Sequence, residues 1–213
     1  MKSINVKEYK EMILKIAEEI QNHKDYLCRI DAAIGDGDHG ISMAKGFKKV
    51  EDKLRNSENL STIAEVNKIV GLTLLQEIGG ATGPLFSTIF LSFAKIAGDR
   101  KEVDLDLLSR MFTVAVADVC KLGKSKPGDK TLIDALKPAA EALSQATKDG
   151  LSIEEGVNMA YQSALTGVEA TKEMTPKRGR ARYLNDRAIG HQDAGATSIS
   201  IMLKAMKEYL EQL

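Results

Sequence analysis

The sequence predicts an all-α protein of about eight helices, on three observations. Apolar residues recur at three- and four-residue spacing along nearly the whole chain. No run shows convincing strand alternation. With aromatics at 5% and no Trp, the alanine- and leucine-rich composition suits helix packed on helix. The 213 residues can bury a substantial core, and one domain over residues 1–213 is expected, since lengths of about 200 residues commonly fold as one unit.

Taken in order, Tyr9, Met12, Ile13, Ile16 and Ile20 mark the buried stripe of an opening amphipathic helix. Met43, Phe47, Val50 and Leu54 mark a second, Ile63, Val66, Val70 and Leu74 a third, and Leu85, Ile89, Phe93 and Ile96 a fourth. Leu107, Leu108, Met111 and Val114 follow as the fifth. A sixth stripe, Leu132, Ile133, Leu136, Ala140 and Leu143, contains Pro138, which removes a backbone donor, so that helix must kink or begin late. Ser152 and Glu155 have capping-box spacing after an Asp149-Gly150 turn and start the seventh, with Val157, Tyr161, Ala164 and Val168. Ile199, Met202, Leu203, Met206 and Leu210 close the series.

Charge and cysteine usage exclude several function classes. Lys plus Arg equals Asp plus Glu at 30 each, so there is no electrostatic footprint for nucleic acid or for anionic lipid. Cys28 and Cys120 are too few for a disulfide framework or a cysteine-rich zinc site and read as buried free thiols. Residues 1–10 lack the apolar core of a signal peptide, and the most apolar stretch, residues 85–94, stops well short of the roughly 20 residues that span a bilayer. A cytoplasmic protein without a membrane segment is expected.

Function is expected in the four polar, glycine-containing segments that resist the helical reading: residues 30–40, 79–84, 123–130 and 172–195. The first carries Asp31, Asp36 and Asp38 among Gly35, Gly37 and Gly40. Asp36 and Asp38 share a side of an extended segment, and the glycines allow Asp31 to approach them. Clustered carboxylates need a cation, and their hard oxygens select magnesium, manganese or calcium. An EF-hand is excluded because Gly40 and Phe47 stand where its further ligands belong. The competing account is a solvated loop whose aspartates cap the next helix.

Magnesium usually shares its shell with phosphate oxygens, which directs attention to Gly79-Gly80-Ala81-Thr82-Gly83-Pro84. Its glycines permit close backbone approach, Pro84 suits the first helical position, and free N–H groups at the helix start can meet an anion, with the Thr82 hydroxyl beside them. An ordinary glycine-rich helix junction is the plain alternative. Neither a Walker A lysine nor the Rossmann glycine spacing is present.

Taken together, Gly35-Asp-Gly-Asp-His-Gly40, Gly79-Gly-Ala-Thr-Gly-Pro84, Gly128-Asp-Lys-Thr131 with Asp134-Ala-Leu136, and Gly179-Arg-Ala-Arg-Tyr-Leu184 through Gly190-His-Gln-Asp-Ala-Gly-Ala-Thr-Ser198 resemble the nucleotide-binding DhaL subunits of dihydroxyacetone kinases. The resemblance spans nearly the whole chain. It implies a barrel-like bundle of eight antiparallel helices with the nucleotide, ADP or ATP, at one mouth. It assigns Asp31, Asp36 and Asp38 to two magnesium ions that bridge the phosphates. His39, Gly40, Ile41 and Ser42 match neighbouring nucleotide contacts; Gly80, Ala81 and Thr82 match the phosphate loop. Gly123 and Leu132 fall near the adenine, and Arg180, Asp193, Ala194 and Gly195 complete the set. By residue chemistry alone, Arg180 could neutralise phosphate charge or stand simply solvated, and His191 with Asp193 suit an acid-base pair or a helix-capping pair, so no catalytic residue is named. Thr82, Arg182 and Ala194 depart from the expected serine, small residue and proline.

The resemblance further implies half an enzyme. In the family it resembles, dihydroxyacetone is held by a partner subunit, and the nucleotide is either exchanged for ATP from solution or retained as ADP and recharged by a phosphohistidine subunit of the phosphotransferase system; the second version is expected here. Competing readings are a regulatory module that reports its nucleotide state to a transcription regulator, a fatty-acid-kinase-like domain, and a phosphohistidine carrier using His39.

Overall fold

The computed structural model describes residues 2–213. Among them nine α-helices are formed: α1 (Val6–Asn22), α2 (Lys24–Ile34), α3 (His39–Arg55), α4 (Ile63–Glu77), α5 (Thr82–Ala97), α6 (Leu105–Gly123), α7 (Ile133–Lys148), α8 (Ile153–Ala170) and α9 (Ala194–Leu210). From α3 to α9 each helix packs on the next, and α1 lies between α9 and α3, so eight helices close a ring. The strands β1 (Ser3–Asn5) and β2 (Glu102–Asp104) pair antiparallel, with Ile4 opposite Val103, and tie the start of α1 to the start of α6. The starts of α3, α5, α7 and α9 and the ends of α1, α4, α6 and α8 therefore gather at the other mouth, and neighbours run antiparallel. This is the barrel-like bundle that the resemblance implies.

Local sequence explains where the helices begin. Asn5 with Glu8, Thr62 with Glu65, and Ser152 with Glu155 each form a reciprocal capping box at α1, α4 and α8. Asp104 and Asp193 accept N–H groups at the starts of α6 and α9. Every Phe is buried, and Phe47, Phe90, Phe93 and Phe112 form a chain of ring contacts, with centroids 5.0 to 6.4 Å apart, that crosses the interior from α3 through α5 to α6.

Three elements, α2 and the two strands, differ from the sequence-based expectation. The segment expected to leave helical form at residue 30 stays helical to Ile34, so Asp31 stands on the last turn of α2. Only Leu27 and Ile34 of α2 are buried, because the helix lies outside the ring against α3 and α9; two positions make no legible stripe. The strands, three residues each, are too short to show alternation. α7 begins at Ile133 and runs through Pro138. The Asp134 carbonyl, which Pro138 cannot serve, faces Gly167 on α8, where a Cβ would overlap that oxygen. Cys28 and Cys120 are half-buried free thiols.

Candidate functional site

At the mouth opposite the strands, the end of α2 and the turn into α3 bring Asp31, Asp36 and Asp38 together, with one carboxylate oxygen of each within 4.8 Å of the others. The backbone is shaped for this: a Cβ on Gly35 would overlap Asp31 Oδ1, and Gly37 has φ +77°. Helix capping engages only one of the three aspartates, Asp31. Asp38 is the N-cap residue of α3, yet its side chain makes no capping hydrogen bond, and the His39 N–H donates to Asp31 Oδ2 at 3.3 Å. Asp36 pairs with the Arg180 guanidinium, carried on the 171–193 connection. Desolvation raises the Asp38 carboxyl above its ordinary value, and the charges of Asp36 and Asp31 add to this while Arg180 opposes it. Three hard oxygen donors in this geometry fit magnesium, with room in its shell for phosphate or water.

His39 turns inward. Its ring is buried against Phe86, and Nε2 lies 2.8 Å from Ser198 Oγ, whose hydroxyl also donates to the Ala194 carbonyl at 3.0 Å. Burial pushes the imidazole below its ordinary value despite the neighbouring Asp31 charge. Gly40 is buried where α3 crosses α2; a Cβ would overlap the Lys24 carbonyl oxygen. Ile41 is exposed, and Ser42 is half-buried with its N–H on the Asp38 carbonyl at 2.9 Å.

The glycine-rich segment ends at the start of α5. Gly79 and Gly80 are exposed with open space around them, and Gly80 has φ +66°. Ala81 is the N-cap and supplies no side-chain acceptor, so the first N–H groups of α5, at Thr82 and Gly83, lack a cap. Pro84 stands at the third helical position rather than the first, where its missing donor is still without consequence. Gly123 closes α6 beside Leu85 of α5.

Between α6 and α7 the turn is clasped by Asp134, which accepts N–H groups from Gly128 at 2.5 Å and Thr131 at 2.7 Å. Leu132, buried at the start of α7, lies against Gly195. Asp193 caps α9 by accepting the Ala196 N–H at 2.7 Å, and its own N–H donates to Thr171 Oγ1 at 3.0 Å. Burial lifts its carboxyl to about 7 against that capping hydrogen bond; the Asp134 charge adds to the rise, Lys130 opposes it, and Asp31 contributes a little more. Ala194 is buried behind it. His191 is exposed, and the Arg182 guanidinium stacks on Tyr183 at 4.7 Å.

The four segments singled out from sequence thus converge on one mouth. Sequence reasoning did not single out Ser198, which orients His39, or Asp134 and Lys130, which shape the neighbouring connections. All three stand inside the quoted motifs. Their partners, however, are backbone groups or a residue over a hundred positions away, and no local pattern reveals them.

The DAK2 domain family model matches residues 33–208. The ADP-binding subunit DhaL of the PEP-dependent dihydroxyacetone kinase of Escherichia coli (strain K12) is 37% identical over 194 residues, 91% of this chain and 92% of that protein. The corresponding subunit of a PTS-dependent dihydroxyacetone kinase from Lactococcus lactis is 35% identical over 200 residues, 93% of this chain and 94% of that one. Among solved structures, the dihydroxyacetone kinase from C. freundii in complex with AMP-PNP and Mg2+ superposes with a TM-score of 0.74 at 24% identity, covering 98% of this chain and 34% of that one, and shares the helical fold. With matches that run nearly end to end and a common helical ring, the chain belongs to the DAK2 domain family, among its DhaL subunits.

Proposed function

We propose that this chain is the ADP-binding subunit of a dihydroxyacetone kinase, one nucleotide-binding unit over residues 1–213 that passes a phosphoryl group to dihydroxyacetone held on a partner subunit. The observation that carries the reading is the trio Asp31, Asp36 and Asp38, gathered within 4.8 Å while the N-cap Asp38 makes no side-chain cap. Two magnesium ions held there would neutralise charge on the nucleotide phosphates. The uncapped N–H groups of Thr82 and Gly83, with the open backbone at Gly80 and Ala81, supply donors to phosphate oxygens on the same mouth. Arg180, already paired to Asp36, adds a movable positive charge. His39, Gly40, Ile41 and Ser42 form the helix start under the phosphates, Gly123 and Leu132 border the base, and Asp193, Ala194 and Gly195 close the far side.

Phosphoryl transfer asks mainly for positioning and charge neutralisation, both of which this residue set can provide. A phosphohistidine carrier is disfavoured: His39 is buried, hydrogen-bonded to Ser198 and adjacent to the carboxylates. The names of the relatives, PEP-dependent and PTS-dependent, support recharging of retained ADP by a phosphohistidine subunit of the phosphotransferase system.

The test is a reconstitution. The purified chain with ATP and magnesium is expected to leave dihydroxyacetone unphosphorylated until a dihydroxyacetone-binding subunit is added, because the acceptor oxygen must be held in line with the terminal phosphate. Phosphoenolpyruvate, the general carrier proteins and the phosphohistidine subunit should then sustain turnover on catalytic ADP. Rapid product formation by the chain alone would overturn the reading, and a requirement for stoichiometric ATP would overturn the choice of donor.

A further inference from the structure

Lys130 is the one lysine in the buried class among the described residues, and it sits at φ +59°, a region that non-glycine residues seldom occupy. Its ammonium group has no carboxylate within salt-bridge distance. Instead Nζ lies 2.7 Å from the Thr171 carbonyl oxygen, 3.2 Å from that of Met174, 2.9 Å from Ala188 and 2.6 Å from His191. Three N–H donors meet four acceptors, so all the donors are engaged. Thr171 and Met174 lie where the chain leaves α8, and Ala188 and His191 where it returns towards α9. The four carbonyls therefore belong to the two ends of one segment.

Besides Lys130, the two ends are joined by the Gly190 N–H, which donates to the Lys172 carbonyl at 2.8 Å. Of residues 172–191 only Pro176 and Ala188 are buried, which leaves hydrophobic packing a minor part. The preceding residue takes the middle: the Asp129 carbonyl accepts the Lys177 N–H at 3.0 Å, and its carboxylate lies 3.7 Å from the Arg178 guanidinium. Two residues further along, Arg180 reaches Asp36. A buried ammonium is expensive unless its donors are satisfied, and here they are satisfied by four backbone carbonyls from the two ends of that segment.

We propose that Lys130 is a positioning residue that pins both ends of residues 171–191 across the mouth and, through Arg180, sets how long the nucleotide stays bound. The retention part rests on the nucleotide reading above; the pinning does not.

The experiment compares the full chain with its Lys130→Met variant. Trypsin cleavage between Lys177 and Arg187, in the absence of nucleotide, is expected to accelerate by at least about tenfold, which corresponds to about 1.4 kcal/mol. Release of a fluorescent ADP analogue with magnesium is expected to accelerate by a similar factor, while the turnover rate of the reconstituted system recovers at saturating ADP. Unchanged cleavage would overturn the proposal, as would faster cleavage or a lower melting temperature with unchanged ADP release. A wild-type chain that binds no ADP would overturn the nucleotide reading and the retention role with it, leaving the pinning to be decided by cleavage. Should the variant fail to fold, acetic anhydride labelling of the wild-type chain decides. Lys130 is expected to react at least about tenfold more slowly than the exposed Lys124 and Lys126, and equal rates would sink the proposal.

Discussion

Asp36 and Asp38 lie exposed at the mouth and fill no core, so their carboxylates can be removed without disturbing the helices. Asp38→Asn is expected to abolish magnesium-dependent ADP binding in calorimetry with the far-ultraviolet circular dichroism unchanged; retained affinity would remove the cluster from the site. Asp193 offers a different test, because burial holds its folded-state carboxyl at about 7 while the unfolded chain titrates near ~3.9. Between those values the folded state keeps a proton that the unfolded state has lost. This contribution to stability is therefore present at the acid end and is lost as pH rises through about 7. Asp193→Asn retains the capping oxygen, and its melting temperature should vary less than that of the wild type between about pH 5 and about pH 8. Parallel profiles would show that the carboxyl is already ionised throughout. The candidate carboxylates were legible in the sequence because glycines and aspartates alternate; the hydrogen bond from His39 to Ser198 was not, since 159 positions separate the pair.

Helix starts and helix crossings fail differently when altered. Ser152→Ala removes half of a capping box at the start of α8, on the mouth away from the carboxylates, and should lower stability in urea denaturation by about 1 kcal/mol with ADP affinity unchanged. Gly167→Ala places a methyl group on the Asp134 carbonyl where α7 and α8 meet, and a loss of roughly 1–3 kcal/mol is expected. A larger effect from Ser152→Ala than from Gly167→Ala would invert this ranking. The capping box could be read from Ser152 and Glu155 because both groups lie within one turn. α2 could not be read, because its place is set by α3 and α9 and it buries only two residues. Gly40, which matched a nucleotide contact by resemblance, also carries a packing role at the α2 crossing; that follows from the fold and leaves no mark in a local pattern.

For the whole molecule, ligand and fold are linked because magnesium and ADP would bind the closed ring and not the unfolded chain. Chelating the metal from ADP-loaded protein is expected to lower the melting temperature by roughly 5–10 °C when ADP stands at about a hundred times its Kd. An unchanged melting temperature would count against metal-bridged binding. Among the described residues no helix is long and apolar enough to cross a membrane, as the interrupted apolar stretches had indicated. By itself the sequence determined the helical class, the approximate helix count, the capping box of Ser152 and Glu155 and the candidate metal carboxylates, since each depends on residues within a turn or two of one another. Only the tertiary structure decided that α1 meets both α3 and α9 to close the ring, that Asp31 stands on a helix, and that Lys130 gathers four carbonyls from 41 to 61 residues away. Those facts depend on which helix lies beside which, and periodicity along a chain reports that a face is buried without reporting what buries it.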